Sequence, residues 1–181
     1  MVYNVKKLKG TCPMLYLKKA NTDDTEKEYL FVRDVPADEN GFINEYHGIS
    51  RKDFDDALVT IIANSEGARL PEGYVPDTTY FLWNDNEIIG EFHLRHFLCE
   101  SLVNGAGHIG YYIAPKYRGR GFGTQGLAML LERACELVPE EEIYLRVRRS
   151  NPASLKAMLN NGCYIHHEDE EHFFVRFKKE V

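Results

Sequence analysis

The chain has 181 residues, 44% apolar and 28% charged, with 22 Lys and Arg against 28 Asp and Glu for a formal net charge of −6. That length suits one domain spanning 1–181, and the apolar share excludes a disordered chain. The acidic balance excludes duplex nucleic acid as partner, because phosphates need a basic face, and no apolar run approaches the roughly 20 residues of a membrane span.

The N-terminal MVYNVKKLKGTCP is basic but lacks an apolar core, so the expectation is a soluble, cytoplasmic protein. MLYLKKA (14–20) reads as a first strand and TDDTEKEYLFV (22–32) as a helix capped by Thr22 or Asp23. SRKDFDDALVTIIANS (50–65) has Phe54, Leu58, Ile61 and Ile62 at helical spacing, with Ser50 as cap and Asp53 completing its first turn. After a Gly- and Pro-rich loop, TTYFLWND and EIIGEFHLRH alternate around an Asn-Asp-Asn turn as a hairpin. In its second strand Phe92 and Leu94 face one way, and Glu91, His93 and Arg95 the other.

GHIGYYIA (107–114) reads as a central strand covered on both faces. Leu127, Leu130, Leu131, Ala134 and Val138 mark one face of a following helix, and EIYLRVR (142–148) alternates as a strand. NPASLKAMLNNG (151–162) is a short helix with Asn151 as N-cap, Pro152 in its first turn and Gly162 at its stop. CYIHH and HFFVRFK form a terminal hairpin. The predicted fold class is α/β, a mixed, mostly antiparallel sheet with helices on both faces. Cys12, Cys99, Cys135 and Cys163 are scattered without a C-x-x-C pair, which predicts reduced, mostly buried thiols rather than a zinc or disulfide framework.

The segment YRGRGFGTQGLA (117–128) carries the chemistry. A phosphate-binding P-loop is excluded, because Leu127 and Ala128 stand where Lys and a hydroxyl are needed. Gly121, Gly123 and Gly126 match G-x-G-x-x-G, with Glu140 to Glu142 about 20 residues on, but the polar segment before Gly121 and the short remaining chain defeat a dinucleotide fold. The remaining reading is an anion cradle at a helix N-terminus. Glycines without Cβ let backbone amides approach an anion, the helix dipole favours negative charge by roughly 0.3 to 2 kcal/mol, and Arg118, Arg120 and Thr124 add charge and a hydroxyl.

Arg118-x-x-Gly121-x-Gly123 after a buried strand resembles the R/Q-x-x-G-x-G/A motif of the GCN5-related N-acetyltransferases (GNAT), whose loop holds the pyrophosphate of acetyl-coenzyme A. Asn151, Ser154 and Gly162 resemble a second segment of that family, and the order of elements from 14 to 178 is similar to its single-domain fold. EGYVPDTTYFLW, LRH and GHIGYYIAP further resemble a bacterial subgroup of predicted acetyltransferases. The resemblance implies an acetyl-CoA-dependent N-acetyltransferase acting on a small-molecule or peptide amine, with no metal. It implies that the strand before the loop splays from its neighbour, and that Ile113, Arg118, Gly119, Gly121, Gly123, Thr124 and Asn151 contact the coenzyme.

One position departs from the pattern. The family's thiolate-protonating Tyr falls on Met158, which has no proton to donate. Tyr111, Tyr112 and Tyr164 are the replacements, and the departure keeps a non-catalytic acyl-CoA sensor as the alternative function. For the base, Glu91 and His108 are the candidates. Each has a bland alternative: an ion pair of Glu91 with Arg95 or Arg146, and a hydrogen-bonded strand-end histidine for His108. His166, His167 and His172 do not suggest a shared metal site, because adjacent strand residues face opposite ways. HFFVRF, read as an exposed edge strand, would allow a homodimer.

Overall fold

Two long alternating segments set the centre of the fold. The computed structural model describes residues 14–68 and 70–179. In chain order these are β1 (Leu15–Lys19), a 3-10 turn (Thr22–Asp24), α1 (Thr25–Asp34), β2 (Asp38–Glu39), β3 (Phe42–Ile43), α2 (Arg51–Ser65), β4 (Asp77–Asn84) and β5 (Glu87–Arg95). There follow α3 (Glu100–Val103), β6 (Ile109–Ile113), a 3-10 turn (Pro115–Tyr117), α4 (Phe122–Leu137), β7 (Glu142–Arg148), α5 (Pro152–Asn160), β8 (Tyr164–Glu168) and β9 (His172–Lys178).

Seven strands form one sheet in the order β1-β4-β5-β6-β7-β9-β8, and β2 and β3 form a separate two-stranded ribbon. Every pairing in the large sheet is antiparallel except β6 with β7, which the helix α4 makes possible by carrying the chain back to the same end. The fold is thus a single α/β domain with helices on both faces, as the alternation and helical spacing predict.

Alternation divides the core. Tyr80, Leu82, Phe92 and Leu94 meet Leu127, Leu130, Leu131 and Ala134 of α4 on one face. Phe81 and Trp83, one residue out of phase, meet Val32 of α1 and Phe54 and Leu58 of α2 on the other. Gly126 sets how close α4 comes: a Cβ there would stand 2.5 Å from Phe92 Cζ and 3.0 Å from Leu82 Cδ2.

Local signals account for most helix ends. Ser50 Oγ accepts from the Asp53 N–H at 3.2 Å and donates to Asp53 Oδ2 at 2.7 Å, a reciprocal cap. Asn151 Oδ1 accepts from the Ser154 N–H at 3.1 Å, and Gly162 ends α5 at φ +78°. The cap before α1 differs from expectation. Asn21, not Thr22 or Asp23, holds the amides of Asp23 and Asp24, because a 3-10 turn precedes the α-helix.

Three further expectations are corrected. HFFVRF is no edge: β9 lies between β7 and β8, and the free edges are β1 and β8. The bulge between Ile165 and His167 and the charged end of β8 are devices that blunt edge pairing. That same bulge breaks the alternation of adjacent histidines, and His166 Nδ1 lies 2.8 Å from His167 Nδ1. Of the thiols, only Cys163 is buried, while Cys99 and Cys135 are partly exposed; Cys12 lies outside the described residues. Among those residues no helix is long and apolar enough to cross a membrane, and no group of three His, Cys, Asp or Glu side chains is arranged to hold a metal ion.

Candidate active site

The parallel pair β6–β7 holds together at one register position, Ile109↔Leu145, with a bridge from Gly107 to Leu145 just before it. Beyond Ile109 the two strands part. His108 C=O accepts from the Arg95 N–H and the Ala114 N–H donates to Ile89 C=O, so the even-numbered backbone groups of β6 face β5. The odd-numbered groups of Tyr111 and Ile113 therefore face the gap. A cavity of about 1220 Å³ opens there, running from the α4 N-terminus through the gap to the face of β5 that carries Glu91 and His93.

The glycine loop forms one end of this cavity. Gly119 and Gly121 take φ +73° and +81°, conformations that an L side chain rarely adopts. Gly121 is the N-cap of α4 and offers no side-chain cap, and the first helical bond comes from Gln125 N–H to Gly121 C=O. Among the described residues nothing accepts from the amides of Phe122, Gly123 and Thr124, so three donors and the positive end of a 16-residue helix face the cavity. All seven residues singled out as coenzyme contacts, Ile113, Arg118, Gly119, Gly121, Gly123, Thr124 and Asn151, line it.

Arg118 is turned differently from expectation. Its Nε donates to Ile113 C=O at 2.8 Å, and Nη1 and Nη2 donate to the two Glu39 oxygens at 2.6 and 3.0 Å. That hydrogen-bonded guanidinium holds the Glu39 carboxyl below the usual carboxylate range against its partial burial. Arg118 thus ties β2 to the end of β6, instead of adding a free charge to the amide cradle.

At the other end lies a polar row that strand pairing assembles. Thr79 pairs with His93 and Asp77 with Arg95 across β4–β5. His93 Nε2 lies 3.0 Å from Glu91 Oε1, and His93 Nδ1 lies 3.6 Å from Asp77 Oδ2. Burial works against a charged His93, but the two carboxylates overcome it and push the imidazole up to about 10, so it is an imidazolium at neutral pH. Burial likewise works to raise Asp77, yet His93, Arg95 and His96 hold it below its ordinary value. Glu91 is 3% exposed. Its Oε2 and Asp77 Oδ1 are buried without a hydrogen-bond partner among the described residues, and both side chains line the cavity. Glu91 therefore pairs with His93 rather than with Arg95 or Arg146.

His108 sits elsewhere. It is fully buried and does not line the cavity. Its Nδ1 accepts from the Tyr144 N–H at 2.9 Å and its Nε2 lies 3.3 Å from Glu140 Oε2, while its own N–H donates to Tyr144 C=O. The tautomer is fixed with the proton on Nε2, and burial pushes the ring below its ordinary value despite Glu140. His108 fastens β6 to β7 where the splay begins. With both nitrogens engaged and no access to the cavity, it cannot reach a substrate proton there.

Of the three tyrosines, Tyr164 is exposed and donates to Glu142. Tyr112 lines the cavity beneath the Arg118 guanidinium, 5.2 Å from its ring centroid. Tyr111 stacks on Phe92 at 5.3 Å and places its hydroxyl 2.7 Å from Ser154 Oγ, on the helix where Met158 is buried. Burial pushes the Tyr111 phenol up to about 12.

Asp77, the ribbon residues Glu39 and Phe42, and Asn44 and Tyr46 after the ribbon were not singled out from sequence, yet all belong to the cavity wall. Residues 35–49 carry no periodicity that would have placed them. Asp77 was within reach, because the hairpin register alone puts it beside Arg95 and next to Thr79 and His93.

The residues present fit an acyl-coenzyme A. The amide cradle suits a pyrophosphate, and Gly123, where a Cβ would stand 3.6 Å from Ile113 Cγ1, leaves the strand-to-helix corner open. The unpaired Tyr111 backbone and the Ile113 N–H suit an amide-bearing arm, while the Ile113 C=O is taken by Arg118.

Comparisons with known proteins agree with this geometry. The sequence model of the acetyltransferase (GNAT) domain matches residues 46–164. No curated protein matches the chain significantly. Among solved structures, a ribosomal-protein-S5-alanine acetyltransferase from Vibrio fischeri superimposes with a TM-score of 0.67 at 14% identity, covering 91% of this chain and 92% of that one. Spermidine N-acetyltransferase from Vibrio cholerae, in complex with CoA and spermine, gives 0.60 at 13% identity over 91% and 95%. The N-acetyltransferase PseH of Campylobacter jejuni, in complex with acetyl coenzyme A, gives 0.56 at 17% identity over 92% and 100%. At such identities these structures establish the fold alone, and together with the domain match they carry one conclusion: the chain belongs to the GNAT acetyltransferase family.

Proposed function

We propose that the protein is an acetyl-CoA-dependent N-acetyltransferase acting on a primary amine of a small molecule or peptide. The observation that carries this is the pair of orphaned carboxylate oxygens, Glu91 Oε2 and Asp77 Oδ1, in the same cavity as the amide cradle of α4. A buried carboxylate oxygen without a partner is costly, and an incoming ammonium group relieves it.

When bound, acetyl-CoA supplies an acetyl thioester to an unprotonated amine. The backbone N–H groups of Phe122, Gly123 and Thr124 would hold its pyrophosphate, and Asn151, which lines the same cavity, would sit beside its pantetheine arm. The Tyr111 and Ile113 N–H groups, aimed into the gap, are the donors available to a developing oxyanion. Glu91 Oε2 takes the proton from the acceptor ammonium, while Oε1 stays against the His93 imidazolium, which Asp77 holds in place.

Tyr111 and Ser154 take the place of the missing family tyrosine. A phenol near 12 lies about 3.5 units above an ordinary thiol, so complete proton transfer to a thiolate would be uphill by roughly 5 kcal/mol. The pair therefore works as a hydrogen-bond donor to the departing sulfur, and water completes the protonation.

Met158, 2% exposed at the usual acid position, favours a second reading in which an acyl-CoA is bound and sensed without turnover. Coenzyme release across a panel of amines, with calorimetric acetyl-CoA binding in parallel, separates the two. Amine-dependent release supports acetyl transfer, tight binding with no release across the panel supports the sensor, and no binding refutes both.

A further inference from the structure

Among the described residues, Arg146 is a cation of the cavity wall that no carboxylate touches. It points from β7 to the face that carries His93, lines the cavity, and among the described residues has neither a hydrogen-bond partner nor a carboxylate within 4.0 Å. Asp169, on the turn before β9, feels its charge without touching it. The neighbouring cations are committed. Arg95 donates to Gly107 C=O at 3.2 Å and faces Asp77 at 3.9 Å, and Arg148 faces Asp38 at 3.5 Å.

Strand register places Arg146 against the reaction centre. His93 pairs with Gly110, and Arg146 follows Leu145, the last register partner of β6, so it lies across the opening gap from Gly110. His93, Gly110 and Arg146 thus form one row across three strands. Because β6 and β7 have parted there, its ends lie farther apart than the roughly 10 Å of two strand spacings. A Cβ built on Gly110 would meet nothing within 4 Å, so the middle of the row is an open trough. One wall presents the unpartnered oxygens of Glu91 and Asp77, and the other presents a guanidinium with its donors unused.

From this arrangement we infer that the acceptor is a zwitterion: an amine that also bears a carboxylate, bound across Gly110 with the amine toward Glu91 and the carboxylate on Arg146. A guanidinium matches a carboxylate with two parallel N–H···O bonds, which gives orientation as well as affinity. A polyamine would bring positive charge against Arg146 and is disfavoured. The inference rests on the acetyl-transfer reading for the fate of the amine, but the anion subsite can be read by binding alone.

The test compares an amino acid acceptor with its C-terminal amide, and with spermidine, by calorimetry on the full chain loaded with coenzyme A and by acetyl-CoA turnover. The carboxylate form should bind about 10- to 100-fold more tightly than its amide. Arg146→Gln should abolish that preference and leave coenzyme affinity unchanged, and Arg146→Lys should restore part of it. Gly110→Val, which a strand accommodates, should block both acceptor forms by filling the trough. Equal binding of acid and amide, tighter binding of spermidine, or an unchanged preference in Arg146→Gln overturns the inference. Discriminated binding without any turnover would instead sustain the subsite and refute acetyl transfer.

Discussion

Gly126→Ala tests whether the close approach of α4 to the sheet is what positions the coenzyme loop. On an isolated helix the change would stabilise by about 1 kcal/mol, because alanine loses less backbone freedom than glycine. Here the new Cβ would lie 2.5 Å from Phe92 Cζ and 3.0 Å from both Phe92 Cε2 and Leu82 Cδ2, where ordinary contact begins at 3.4 Å. The shortfall is about 1 Å against a ring that is itself 0% exposed and cannot swing away. Overpacking of this kind costs roughly 1 to 3 kcal/mol, so the net loss should be about 0 to 2 kcal/mol after the helix gain, or up to about 8 °C in Tm. Strain is relieved most easily by lifting the N-terminal turns of α4, which carry the amides of Phe122, Gly123 and Thr124. Weakening one charge-assisted bond there should lower coenzyme A affinity by about 10-fold or more. Thermal unfolding and calorimetry on the same preparation read both effects. A variant with equal or higher Tm and unchanged coenzyme affinity would refute the reasoning.

Three further outcomes follow from the site. Glu91→Gln should lower kcat by about 100-fold or more with acetyl-CoA affinity intact, since it removes the proton acceptor but keeps the shape; an unchanged kcat would assign the base elsewhere. Tyr111→Phe and Ser154→Ala should each reduce kcat by about 10-fold and together by little more, as members of one hydrogen-bonded pair; additive losses would separate them. His108→Leu should destabilise by about 1 to 3 kcal/mol at pH 7.5, because it orphans the part-buried Tyr144 N–H and leaves Glu140 without its imidazole partner. The native histidine is held neutral below its ordinary 6.5, so its contribution is full above that pH and declines as pH falls through it. The stability gap between wild type and variant, followed by urea unfolding, should therefore narrow toward pH 5; a gap independent of pH would show that His108 is not buried in its neutral form.

Local chemistry made much of this protein legible in its sequence. Ser50, Asn151 and Gly162 mark helix ends because capping depends on a few neighbouring residues, and the alternation from Asp77 to Arg95 fixes a hairpin and the faces of its side chains. The cradle at Gly119 to Thr124 is equally local, since φ > 0 glycines followed by uncapped helical amides need no distant partner. What the sequence could not decide is how one element's side chains are used by another. Arg118 looks like a free anion ligand until the ribbon at Asp38–Ile43 brings Glu39 to it, and that ribbon has too few residues to show a period. His108 looks like a base at a strand start until Tyr144 of β7 takes its Nδ1 and Glu140, just before β7, faces its Nε2. HFFVRF looks like an edge until β8 covers it. Glu91 and Arg146 could have paired with each other on charge alone, and strand order leaves them on opposite walls of a trough. Charge and hydrogen-bond partnership across strands is set by register and topology, and these depend on the whole sheet closing at once.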